Sequence, residues 1–387
     1  MAIPAVNRVT RLRAENFRCI DQLDLELSPL TVMIGPNGAG KSSVLQLANM
    51  FSGIAEGSRH LNRFFSTFGG YDATLSDWAT VPSMMLGVTV GSEGYELHYD
   101  LEFLGESGGY FVSREQLRQR SSRDEGEEKI FDRLDTKVSM LSAKMGRTGG
   151  SVPHSPEPHL FAQGSHIPHG QAVLDGVRGI HLVQGWRFQP GSVVRRPQQL
   201  QPTQVPANDG SDLFAALYTM QTDRPDCYGE LIEHLRLFMP GLENIDFPAS
   251  GAGHINLRWK QSGLSKPLYV NQLSDGFLRM LWLVTVLHSA PDDGLLLIDE
   301  PELGLHPQWI LLLVSMMRKT SGRTTVLVAT QSAELVRWIE PEELIIADLD
   351  DGRARFARVG DRSDITNWLK DFTLDELWTM GELGGRP

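Results

Sequence analysis

The chain has 387 residues, 41% of them apolar and 22% charged, a balance that supports a full hydrophobic core and excludes the disordered and fibrous classes. Its net charge of −12 excludes a surface that attracts nucleic acid everywhere, so DNA contact needs a local basic patch, a bound cation or a partner. The two cysteines, Cys19 and Cys227, are too far apart in sequence for a disulfide framework or a four-ligand zinc site; with no signal-peptide core in MAIPAVNRVTRLR and no run of roughly 18 apolar residues, the expectation is a cytoplasmic protein with free thiols and no membrane partner.

Residues 9–34 read as short strands. Leu23, Leu25 and Leu27 alternate with Asp24 and Glu26, the period of a half-buried strand. Thr31–Ile34 is a compact apolar run that stops at Gly35, and Val44, Leu47, Ala48 and Phe51 then follow helical spacing. Residues 31–52 are therefore strand, glycine loop, helix. Two alternating runs across 84–104, around Gly91–Gly94, predict a hairpin. Residues 105–175 differ: a charged and serine-rich stretch, a Thr148-Gly149-Gly150-Ser151 run and prolines at 153, 156, 158 and 168 predict a mobile insertion with some helix near Ile130–Met145. Residues 180–206 read as extended and 211–239 as helical, with Leu213, Leu217 and Met220 in register, then Leu231, Leu235 and Phe238. Gly276–His288 is apolar nearly all round, as in a buried helix. Leu295–Ile298 and Thr325–Ala329 are unbroken apolar runs, the pattern of parallel strands buried on both faces. Between them a helix starts at about Pro307, proline at its allowed first position, and runs to about Lys319. No 20–50-residue repeat and no sustained heptads are present.

Gly35-Pro36-Asn37-Gly38-Ala39-Gly40-Lys41-Ser42 satisfies G-x-x-x-x-G-K-[ST], with Ser43 following. Each part has a physical role. The glycines let successive N–H groups curl around a phosphate, and the helix that starts here adds its N-terminal dipole. Lys41 supplies a point charge to the β- and γ-phosphates, and the Ser42 hydroxyl ligates Mg²⁺. The motif predicts a bound nucleotide with Mg²⁺.

Leu295-Leu296-Leu297-Ile298 runs into Asp299-Glu300-Pro301-Glu302. A strand capped by solvated acids is common. Beside a phosphate loop, the first acid holds the Mg²⁺ shell and the next polarises the attacking water. Asp299 is assigned to metal and Glu300 to general base. Asn271-Gln272-Leu273-Ser274-Asp275-Gly276 precedes the buried helix; alone it reads as an N-cap serine and a turn, although a Ser and a Gly at a helix tip also make an anion-binding surface.

The order of these pieces resembles the ATP-binding-cassette ATPases of the RecF/SMC/OLD branch, and in particular the stand-alone bacterial AAA family ATPases (AAA_21-like). The matching residues are Asn16-Phe17-Arg18, GPNGAGKSS at 35–43, Asn208–Leu213, LSDG at 273–276, LLLIDEPELGLHP at 295–307 and Val328-Ala329-Thr330-Gln331-Ser332, with Leu374–Trp378 and Gly381–Gly385 in the tail. The likeness covers most of the chain apart from roughly 105–175. It implies an α/β P-loop NTPase of the ABC ATPase-head type, with a mostly parallel core sheet flanked by helices, an antiparallel β subdomain and a helical lobe. The corresponding organisation is an N-terminal ATPase lobe over 1–104, the insertion over 105–175, a helical lobe over 176–270, the signature, acidic strand and switch over 271–360, and a helical tail over 361–387.

The resemblance also implies that the nucleotide is ATP and that two copies meet head-to-tail as a homodimer or higher homo-oligomer. Ser274, Asp275 and Gly276 of one copy would then close over the nucleotide held by the phosphate loop of the other. Gln331 stands where many relatives carry His; it keeps hydrogen-bonding capacity for a γ-phosphate but holds no proton near neutral pH. Asp275 replaces the glycine of transporter signatures. Gln163 and Gln184 are the candidates for the glutamine that couples the lobes. Three biological roles compete. One is control of a separately encoded effector, such as a nuclease, as in anti-phage defence. Another is RecF-like DNA binding in maintenance, for which Arg8, Arg11, Arg13, Arg18 and Arg195-Arg196 are the basic spots. The third is a transporter motor. Missing heptad arms argue against an SMC-like architecture. The stretch beyond Gln331 is too short for an OLD-type nuclease domain, so the effector reading is preferred. His154, His159, His166 and His169 read as a solvated loop rather than a metal site, and Trp186, Trp309, Trp368 and Trp378 as packing residues.

Overall fold

The structure, a computed structural model, describes residues 7–55, 58–92, 94–106, 109–121, 126–142, 146–152, 155–160, 166–184, 188–362, 365 and 368–384. It divides into two compact units. The first comprises Met1–Leu182, Asp292–Ile298 and Arg323–Pro387; the second comprises Val183–Pro291 and Asp299–Gly322.

Two sheets build the first unit. Among the described residues, β1 (Arg8–Phe17), β2 (Ile20–Glu26), β4 (Ser83–Ser92), β5 (Tyr95–Glu106), β6 (Gly109–Ser121), β7 (Glu127–Leu134), β8 (Lys137–Ser142) and β9 (Gly146–Ser151) form an antiparallel sheet in the order β2-β1-β4-β5-β6-β7-β8-β9. The second sheet contains β3 (Leu30–Ile34), β10 (Ile180–Val183), β16 (Leu295–Asp299), β17 (Thr325–Thr330), β18 (Leu344–Asp350) and β19 (Arg353–Arg358), in the order β10-β16-β17-β3-β18-β19. β3 pairs in parallel with both β17 and β18. Bonds from Leu295 N to Gly179 O, Thr325 N to Gly294 O and Val326 N to Pro29 O align the starts of β10, β16, β17 and β3. Their carboxyl ends therefore share one edge, the edge at which open α/β sheets bind ligands. Helix α1 (Lys41–Ala55) joins the two sheets: Val44, Leu47 and Phe51 share one buried cluster with Leu12, Val88, Leu297 and Leu327.

The segment 105–175 departs from expectation. It continues the antiparallel sheet through β6–β9, and the helix expected near Ile130–Met145 is the β7–β8 hairpin, with Leu134 opposite Lys137. Ile130, Leu134 and Val138 fit a helical period, but Asp135 takes φ 55°, and that left-handed residue turns the chain. Glu115 fastens the following segment: its carboxylate is fully buried and accepts from Tyr99 OH (2.8 Å), His159 N (2.6 Å) and Leu160 N (2.7 Å). Burial pushes its pKa up, against those hydrogen bonds.

The second unit is mainly helical: α2 (Leu213–Asp223), α3 (Pro225–Phe238), α4 (Asp275–Ser289) and α5 (Pro307–Ser321). Its short strands pair β11 (Gln198–Gln199) with β13 (His254–Ile255), and β14 (Arg258–Gln261) with both β12 (Leu242–Asp246) and β15 (Leu268–Tyr269). Trp282 is fully buried in α4 and donates Nε1–H to Ala207 O at 3.0 Å. Of the tryptophans read as packing residues, Trp378 is buried and Trp309 lies edge-on to Phe238, while Trp368 is 41% exposed and Trp186 lies outside the described residues.

Candidate functional site

In the first unit, the apolar strand β3 ends at Ile34 and delivers Gly35–Ser42 to the carboxyl edge of the sheet. Gly40 has φ +92°, and a Cβ there would meet the Ala354 Cβ at 2.9 Å and Cys19 Sγ at 3.2 Å; only glycine fits. Lys41, 6% exposed, donates from Nζ to Gly35 O (2.6 Å) and Pro36 O (2.9 Å), so its ammonium lies folded over the loop. Asn37, Gly38 and Ser42 are exposed, Ser43 is buried, and α1 has no acid in its first turn, which leaves its N-terminal dipole open to an anion. β17 ends at Thr330, and Gln331 Nε2 donates to Asn37 Oδ1 at 2.8 Å. Gln331, the residue expected at the switch position, thus meets the glycine loop across 294 residues of sequence.

β16 ends at Asp299, the first residue of this stretch of the second unit, and the next residue, Glu300, takes φ 48°. A left-handed non-glycine residue costs roughly 1 kcal/mol or more and concentrates at functional sites. Leu303 N donates to Glu300 O and Leu305 N to Glu302 O, folding the segment into consecutive turns. Ser274 is the N-cap of α4, its Oγ accepting from Phe277 N at 3.2 Å. Asp275 is the first helical residue, and Gly276 packs so closely that a Cβ would stand 2.8 Å from Gly304 O. Arg279, one turn further, stands over Gly304, where a Cβ would meet its Nη1 at 3.0 Å, and lies 5.9 Å from the Phe188 ring. Burial pulls its guanidinium below the ordinary value, offset in part by Asp275.

Several expected residues behave differently. Arg195, read as a basic spot, is buried and bonds to the signature turn: Nε to Phe188 O (2.9 Å), Nη1 to Val270 O (3.0 Å) and Leu273 O (2.9 Å), and Nη2 to Asp275 Oδ1 (2.5 Å). Only its charge is legible in sequence. The N-terminal arginines are engaged with partners of their own unit. Arg8 pairs with Asp293, Arg11 with Asp24 and Glu26, and Arg13 with Asp100, while Arg18 lies over Phe68. His159 stacks on Phe131 and His169 lies edge-on to Tyr95; His154 lies outside the described residues. Gln184 follows β10 and its N–H donates to Asn208 Oδ1 at 3.4 Å, whereas Gln163 lies outside the described residues. No described helix is long and apolar enough to cross a membrane.

A glycine loop between an apolar parallel strand and a helix, with an acid-tipped strand in the same sheet, defines a P-loop ATPase fold. A family model described as an AAA domain, putative AbiEii toxin, Type IV TA system, matches residues 149–337, and one described as an AAA ATPase domain matches residues 8–68. An OLD nuclease from Thermus scotoductus is 36% identical over 109 residues, covering 25% of this chain and 21% of that protein. The match therefore spans about a fifth of that curated relative's length. Among solved structures, an SMC head bound to the C-winged helix domain of ScpA gives a TM-score of 0.50 at 12% identity, covering 90% of this chain and 97% of that one. The SMC head domain from Thermotoga maritima gives 0.44 at 13% identity, covering 91% and 99%. Over these segments the chain resembles ATPases of the RecF/SMC/OLD-like, ABC type, and its fold is like that of an SMC head.

Proposed function

We propose that the protein binds and hydrolyses ATP with Mg²⁺, dimerises head-to-tail around the nucleotide, and controls a separately encoded effector such as a nuclease. The contact between Gln331 and Asn37 carries this reading, because it joins the switch residue directly to the phosphate loop. The donor set suits a phosphate-bound divalent cation: an exposed Ser42 hydroxyl at a helix start and the Asp299 carboxylate at a strand end. When bound, Mg²⁺ neutralises phosphate charge.

The chain's own groups divide the work. Lys41 exchanges its loop carbonyls for phosphate oxygens. Glu300 takes a proton from the water whose oxygen attacks the γ-phosphorus, and the bond to the β–γ bridging oxygen breaks to give ADP and phosphate. Gln331 releases Asn37 and hydrogen-bonds the γ-phosphate without changing charge. Ser274 and Gly276 of the second copy close the site. ATP then shifts the monomer–dimer balance by its greater affinity for the closed pair. The relative that is an OLD nuclease supports a nuclease as the controlled activity. Direct DNA binding has less support, because Arg8, Arg11 and Arg13 are already paired with acids.

Glu300→Gln tests the chemistry. Nucleotide affinity should stay within about twofold, turnover should fall by about 100-fold or more, and ATP should hold the protein as a dimer in size-exclusion chromatography. Unchanged turnover would remove Glu300 as the base. Co-purification tests the biological role, since a nuclease supports the effector reading and DNA alone supports the maintenance reading.

A further inference from the structure

We propose that Arg195 is the positioning residue of the signature tip, fixing Leu273–Asp275 in the shape that receives the γ-phosphate of a nucleotide bound to a second copy of the chain. The proposal deepens the head-to-tail reading above and rests on it.

Arg195 closes a short 3₁₀ turn (Val193–Arg195) far from the signature in sequence. Its side chain is 7% exposed, so its charge is out of water and must be satisfied by protein. Four acceptors do so, and three of them surround the signature. Val270 O and Leu273 O are main-chain oxygens of the turn that leads into Ser274. Both bond to the same Nη1, and the rigid guanidinium fork fixes the spacing between them. The Ser274 side chain is held by its own cap bond, accepting from Phe277 N. The tip is therefore shaped before any nucleotide arrives.

The third acceptor matters for charge. Asp275 is half-exposed at the first turn of α4, where an incoming phosphate would meet a carboxylate. Arg195 Nη2 draws that carboxylate aside at 2.5 Å and compensates its charge. This explains how an acid is accommodated at a position where transporter signatures carry glycine.

The test uses mixed dimers of the full-length protein. Arg195→Met should lower ATP turnover by at least about tenfold while its subunit still binds a fluorescent ATP analogue with unchanged affinity. Because Arg195 acts on its own subunit's signature, Arg195→Met mixed with Lys41→Ala should regain turnover above the sum of the two separate proteins. One site of that heterodimer has an intact loop and an intact signature. Arg195→Met mixed with Ser274→Ala should regain nothing. Arg195→Lys, which keeps the charge but not the fork, should show the same pattern at smaller amplitude and guards against misfolding of the methionine variant. Full turnover in Arg195→Met would overturn the proposal. So would failure of both Arg195 variants to complement Lys41→Ala under conditions where Ser274→Ala does. If Ser274→Ala also fails to complement Lys41→Ala, the head-to-tail reading itself is wrong and the proposal falls with it.

Discussion

The phosphate loop and the signature tip are both glycine-containing helix starts, yet the chain holds them in opposite ways. The loop's cation is held locally, Lys41 bonding to carbonyls five and six residues earlier, while remote residues close on the loop backbone: Ala354 and Cys19 leave room only for glycine at 40, and Gln331 bonds Asn37. The signature is held from a distance, by a buried guanidinium 75 to 80 residues away that grips its backbone and its one acid. A cation satisfied by its own loop's carbonyls can exchange them for a phosphate without moving another element, which suits a permanent ligand site. A remotely braced tip can be displaced by any change that moves the brace, which suits a surface that acts only when a partner arrives.

The largest expected effect breaks the loop half of this contrast. Lys41→Ala should weaken ATP binding on the order of 100-fold, about 2.7 kcal/mol, measured by calorimetric titration. A change under threefold would mean that the loop's backbone alone binds the phosphates. Next come the glycines. Gly40→Ala forces a Cβ into a left-handed conformation against Ala354 and Cys19, so unfolding stability should drop by roughly 2–4 kcal/mol. Gly276→Ala meets Gly304 O but at no special φ, so its cost in stability should be smaller, roughly 1–2 kcal/mol, with turnover more affected than folding. Denaturant midpoints for the two variants compare the regions directly. If Gly276→Ala is the more destabilising, the tip is built as rigidly as the loop.

Legibility in the sequence follows the same division. The loop, β3, β16 and β17 are readable because each is a contiguous pattern: an apolar run, a glycine spacing, an acid pair. The hairpin of β7 and β8 is not, because Ile130, Leu134 and Val138 recur at four-residue intervals while the decisive feature is a left-handed Asp135 with no glycine beside it. Arg195 is readable only as a charge, since its burial depends on carbonyls contributed by residues 188, 270 and 273. Trp368 shows the reverse error: an apolar neighbourhood in sequence does not bury it. The left-handed Glu300 also leaves no local signal, because neither neighbour is glycine and the following proline favours extended backbone in the residue before it.

Gln331 offers a smaller and sharper test. Its contact with Asn37 is a neutral hydrogen bond, so Gln331→Ala should cost a few-fold in turnover and lower unfolding stability by no more than about 1.5 kcal/mol. Gln331→His should retain turnover and acquire a pH dependence between about 6 and 7 that the parent lacks at this position. A pH profile identical to the parent's would mean that the switch side chain does not approach the reacting phosphate.

The smallest effect concerns pH and stability, and it lies away from both surfaces, since neither residues 35–43 nor 271–279 contain a histidine. His98 is buried in the antiparallel sheet, its Nδ1 3.0 Å from Thr89 Oγ1. Burial holds its pKa below the ordinary imidazole value, and the nearby Arg13 adds to the depression against the pull of Glu127 and Glu96. The folded chain therefore binds this proton less readily than the unfolded chain. Its contribution to stability is complete above pH about 6.5 and is lost as pH falls through the depressed folded value. Thermal unfolding at about pH 7.5 and 5.5 should show a loss attributable to His98 of no more than about 1 kcal/mol, reduced in His98→Gln. An equal pH response in that variant would place the acid sensitivity on other groups, such as His159, whose pKa is lowered by burial as well. The isolated nucleotide affinity should be indifferent to the His98→Gln change at either pH, because the substitution touches neither the loop nor the brace.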